Sequence, residues 1–82
     1  MEYLSHEEIS YCTVFKLKLS QDEIEVYESC MKYVLDKCGE NEIYEITGCK
    51  LDELQSMHKN LQELLLKHVN ETNLPDKYKD SL

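Results

Sequence analysis

The sequence predicts a mostly α fold, with α+β possible. It reads as an antiparallel helical hairpin over about 21–38 and 51–69, preceded by a short N-terminal turn and a β-strand at about 11–19. Three observations predict this. Apolar residues recur at a 3.6-residue spacing in two long stretches. Cap and charge signals bracket both. A run of period two precedes the first. The 82 residues make one domain at most, expected over 1–73 with a short C-terminal tail at 74–82.

At the N-terminus, Leu4-Ser5-His6-Glu7-Glu8-Ile9 reads as a hydrophobic staple around a capping box, hence a short helical turn. Tyr11, Thr13, Phe15, Leu17 and Leu19 then alternate with Cys12, Val14, Lys16 and Lys18. The alternative to a strand here is one continuous helix over 6–19. The aromatic and β-branched side chains of Tyr11–Phe15 favour the strand. A lone strand is not stable by itself. It needs residues 43–47, or the same strand of a second chain.

The first long helix opens on Ser20-Gln21-Asp22-Glu23, a capping box, with Leu19 and Ile24 as its staple. Ile24, Tyr27, Met31, Val34, Leu35 and Cys38 supply the apolar period. Lys37 suits the negative helix end, and Gly39 suits a left-handed position just past it. The connection over 39–50 is long for a helix–helix link. Within it, Glu42-Ile43-Tyr44-Glu45-Ile46-Thr47-Gly48 fits either a short strand or a helical turn ending at Gly48. In the second long helix Leu51, Leu54, Met57, His58, Leu61, Leu64, Leu65 and His68 share one face. Asp52 and Glu53 open it, and Lys67 and His68 close it, all in agreement with the macrodipole. Asn70, Thr72, Asn73 and Pro75 break the pattern. Each helix is about 27 Å long, and matched lengths suit an antiparallel pair. Val26, Cys30 and Tyr33 add a second apolar row, and Leu66 and Val69 widen the other stripe. Two helices cannot bury all of these. A third element, a second copy or a partner must cover the surplus, and a homodimer is the economical solution.

The formal net charge is -8. All basic residues are Lys, and Arg, the preferred residue for bidentate phosphate and guanine contacts, is absent. Charge and composition argue against direct nucleic-acid binding and against an anionic membrane surface. No apolar run approaches the roughly 20 residues of a membrane span. The acidic start has no secretory h-region, so a cytoplasmic protein is expected. Cys12, Cys30, Cys38 and Cys49 are then expected as free thiols.

No chemistry-bearing motif is legible. The cysteine spacings and the ten-residue gap between His58 and His68 do not match zinc-ligand pairs. There is no phosphate loop, nucleophile elbow or H-E-x-x-H. No catalytic residue, cofactor or metal ligand is therefore assigned. Asn70-Glu71-Thr72 matches a glycosylation triplet only by coincidence.

What remains is a small acidic non-enzymatic protein-binding module that occupies a partner protein's surface. It would be an inhibitor or regulatory accessory protein of the kind phages and mobile elements carry. Acids dominate residues 22–53, so the candidate partner-binding residues are Asp22, Glu25, Glu28, Glu40, Glu42, Tyr44, Glu45, Asp52 and Glu53. One alternative is a nucleic-acid mimic that inhibits a basic DNA- or RNA-binding protein. The other is a structural or regulatory homodimer subunit whose acidic surface is only solubilising.

Overall fold

The computed structural model describes residues 1–79. Its first two elements are strands, β1 (Glu2–Ile9) and β2 (Cys12–Lys18), paired antiparallel. They are joined by a two-residue turn, Ser10-Tyr11, with φ of 48° and 69°. Two positive φ values mark the turn that follows the natural twist of a hairpin. The helical turn expected at 4–9 is therefore corrected: these residues are strand. The capping-box pattern is a local preference of a few residues, and the ladder to β2 overrides it. The expected strand pairs with β1 rather than with 43–47. Its register runs from Ile9↔Cys12 to Glu2↔Lys18, with an irregularity between Tyr3 and Ser5 that leaves Leu4 as a bulge.

Three helices follow: α1 (Gln21–Lys37), α2 (Glu40–Thr47) and α3 (Leu51–His68). Ser20 and Glu23 form the expected capping box on α1, each backbone-to-side-chain bond being 3.2 Å. The ambiguous stretch 42–47 is helical. Gly48 ends it in the left-handed conformation, φ 73°, and its N–H donates to the Tyr44 carbonyl at 2.8 Å. Gly39 does not take the left-handed role expected of it. Its φ is -75° and it caps the start of α2, because the chain re-enters a helix at once and needs an extended residue there.

α1 and α3 pack antiparallel: Ile24 near the start of α1 meets the Leu65 end of α3, and Glu28 meets His58 and Gln62. After α3 come a single 3-10 turn (Glu71–Asn73) and a short helix, α4 (Asp76–Lys79). Leu65, Leu74 and Tyr78 form a buried cluster, with Ile24, Leu66 and Val69 packed against it. Leu74 and Tyr78 come from the stretch expected to be a tail. They cover the side of α3 that the helix pair leaves open. Residues 80–82 of that tail lie outside the described residues. At the other end Ile43 of α2 and Leu54 of α3 are buried.

The hairpin contributes nothing to this core. Every residue of β1 and β2 is exposed. Among the described residues its one polar tie to the helices is the amino group of Met1, 2.6 Å from Glu23 Oε2.

Candidate functional site

The acids singled out in the sequence do not form one array. Asp22 and Glu25 lie in the opening turns of α1. Glu40, Glu42, Tyr44, Glu45, Asp52 and Glu53 lie on α2 and the first turn of α3, beyond the far end of α1. The rest of α1 after Glu25, residues 26–37, separates the groups by about 18 Å. Several are engaged locally: Glu25 accepts from Gln21 Nε2 at 2.7 Å, Glu53 from the Lys50 N–H at 3.2 Å, and Asp52 from the Glu53 N–H at 3.0 Å. Tyr44 is exposed on α2.

Glu28 is not a surface residue at all and is corrected as a partner-binding candidate. It is 2% exposed, facing α3 from the middle of α1. Its carboxylate accepts from the Tyr78 hydroxyl at 2.6 Å, from His58 Nε2 at 2.8 Å and from Gln62 Nε2 at 3.3 Å. Burial pushes this carboxyl up, but the bonds from Tyr78, His58 and Gln62 outweigh it, and it titrates below its ordinary value. Burial, then the facing Glu28 carboxylate, pushes the Tyr78 phenol up to about 12. The phenol therefore stays protonated and donates at neutral pH. Among the described residues no buried side-chain nitrogen or oxygen lacks a partner. A carboxylate with both oxygens engaged is a joint. It ties α1, α3 and α4 together, and the cleft of about 300 Å³ beside it opens between Lys32, Asp36 and Lys77. Two signals in the sequence point to this joint. Glu28 sits four residues after Ile24 and three before Met31, within the apolar stripe. His58 and Gln62 interrupt the facing stripe of α3 at i, i+4.

The second unusual feature is the hairpin. Alternation from the observed register puts Tyr3, His6, Glu8, Thr13, Phe15 and Leu17 on one face. The Tyr3 hydroxyl bonds His6 Nδ1. The Tyr3 and His6 rings lie 5.7 Å apart, and His6 and Phe15 6.0 Å. The result is an aromatic ladder across the strands. Tyr3 and Phe15 remain 57% and 59% exposed. The opposite face carries Glu2, Glu7, Lys16 and Lys18 together with Ser5, Ile9, Cys12 and Val14, so the strand aromatics are confined to one side and the lysines to the other. At its tip Tyr11 is wholly exposed at a positive φ that favours Gly or Asn. Sequence reasoning found the strand but missed the hairpin, because Ser10-Tyr11 carries no turn signal.

The four cysteines are free thiols. Among the described residues no helix is long and apolar enough to cross a membrane, and no cluster of three or more His, Cys, Asp or Glu side chains is placed to hold a metal ion. No protein family, curated protein or solved structure matches the chain.

Proposed function

We propose that this protein is a small protein-binding module and that the hairpin is its binding element. One observation carries the reading: a two-stranded sheet exposes all its side chains, including an aromatic face. An isolated hairpin is marginally stable in water, and a contiguous exposed aromatic patch is the usual mark of a contact surface. Tyr11 strengthens the case. A large aromatic at a position that favours Gly costs backbone energy, and it returns no packing within the chain. The helices and the Glu28 joint serve as the scaffold that presents the hairpin.

The acidic surface is read as solubilising. A nucleic-acid mimic needs a continuous row of charges to stand in for phosphates. Here Asp22 and Glu25 are parted from the α2 group, and Glu28 is buried. We therefore place the partner's contact on the hairpin rather than on the acids first singled out.

The test is affinity capture with the tagged chain and with a Tyr3→Ser/Phe15→Ser variant, washed at low and high salt. The helical circular dichroism of the two should match, since neither side chain touches the helical core. The wild type should retain a protein through the high-salt wash, and the variant should lose it. Equal capture by both, or release by salt alone, would overturn the reading and return attention to the acids.

A further inference from the structure

Resting on the hairpin as a protein-binding element, we infer that its occupant is a second copy of this chain: β2 pairs edge to edge with β2 of the second copy, antiparallel about a two-fold axis at Phe15. The two free edges of the hairpin are not equivalent. β1 carries the bulge at Leu4, which breaks the even row of backbone groups that an added strand must meet. It also carries Glu2, Glu7 and Glu8. β2 has neither defect: its partners on β1 run without a break from Cys12 to Lys16.

The register also decides which backbone groups β2 offers. In a two-residue hairpin the pair that closes the turn, here Ile9 and Cys12, exchanges both hydrogen bonds. Alternation then turns the N–H and C=O of Thr13, Phe15 and Leu17 away from β1 to the open edge. The side chains of the same three residues lie on the aromatic face. Two such edges, paired about Phe15, bring the two Phe15 rings opposite each other and set each Thr13 against a Leu17. On the opposite face Lys16 falls opposite Val14 and Lys18 opposite Cys12, so no like charges oppose. Each Lys18 keeps Glu2 of its own hairpin as its cross-strand neighbour.

The product is a four-stranded sheet, which satisfies the requirement for three or more strands that a lone hairpin misses. The two-fold axis also closes the assembly. Pairing of β1 with β2 of another copy would be head-to-tail, a contact that closes only as a ring of several copies and otherwise runs on as a filament.

The test is amide hydrogen exchange by NMR on the full chain over a concentration series, with sedimentation equilibrium on the same samples. The expected result is a dimer. Its Thr13, Phe15 and Leu17 amides, which face solvent in the single chain, should exchange at least about tenfold more slowly as the dimer fills. Thr13→Pro removes an outward N–H without removing a bond of the hairpin's own ladder, and it should sediment as a monomer. Should that variant lose the hairpin, the exchange of the wild-type chain decides alone. A dimer whose three outward amides exchange freely would overturn the edge pairing. A monomer at every concentration would overturn self-pairing altogether. In either case capture that still depends on Tyr3 and Phe15 would leave the hairpin as a binding element for a different protein, and capture independent of them would remove that reading too.

Discussion

Replacing Tyr78 by Phe removes one oxygen from the most enclosed polar contact in the molecule. The ring remains to pack against Leu65 and Leu74, so the change isolates the hydroxyl's bond to Glu28 Oε2 at 2.6 Å. Oε1 keeps His58 and Gln62, but Oε2 is left with the Ser29 hydroxyl at 3.5 Å. Glu28 is 2% exposed, so water does not readily replace the lost donor. A hydrogen bond to a charged group contributes about 1.5–3 kcal/mol. In a domain of this size that lowers Tm by about 6 °C or more. The effect also depends on pH. Glu28 titrates lower in the folded protein than its ordinary value. Its contribution is therefore complete above the unfolded carboxyl value, about 4.3, and is lost as the pH falls through the lower folded value. Tyr78→Phe raises the folded value, so the gap between wild type and variant is full at pH 7 and narrows in acid. Urea unfolding followed by circular dichroism, at one fixed protein concentration, measures both. A variant within about 0.5 kcal/mol of wild type at pH 7 would refute the joint as a stabilising contact, as would a gap that stays constant down to pH 3.

Other perturbations probe the scaffold and the hairpin separately. Leu65→Ala, at a residue 1% exposed in the Leu74–Tyr78 cluster, should cost about 2–5 kcal/mol in the same unfolding assay. Gly48→Ala adds a methyl that meets nothing within 4 Å. Its cost of about 1 kcal/mol should come from the left-handed backbone alone, and thermal unfolding measures it. Ser10→Asn with Tyr11→Gly suits the turn's two positive φ values, and should slow exchange of the hairpin amides by about 1 kcal/mol of added protection. The same change removes the exposed Tyr11 ring, so capture of the partner should weaken while the hairpin itself becomes firmer.

The helices were legible because their signals are local. The capping box at Ser20–Glu23, the 3.6-residue apolar spacing and the Gly48 stop act within a few residues, so α1 and α3 appear close to their expected bounds. The hairpin was half legible. β2 announces itself by alternation, but β1 reads as a helical turn until β2 is beside it, and Ser10-Tyr11 is a turn that only the finished ladder imposes. The candidate site was least legible. Charge density drew attention to nine residues between Asp22 and Glu53. Which of them faces water depends on how α1 rotates against α3, and that rotation turned Glu28 inward.

Local signals in the chain define α1, α3 and the Ser20 cap, and they lead to the expectation of free thiols and of an apolar surplus too large for two helices. Tertiary structure decides which part of that surplus is covered: Leu66 and Val69 pack against Leu74 and Tyr78, while Val26, Cys30 and Tyr33 stay exposed. Leu74 and Tyr78, separated from α3 by breakers that read as a tail, fold back because burying them beside Leu65 removes apolar surface from water. Their return brings the Tyr78 hydroxyl to Glu28. The hairpin's aromatic face has no such cover among the described residues, where Tyr3 and Phe15 stay exposed.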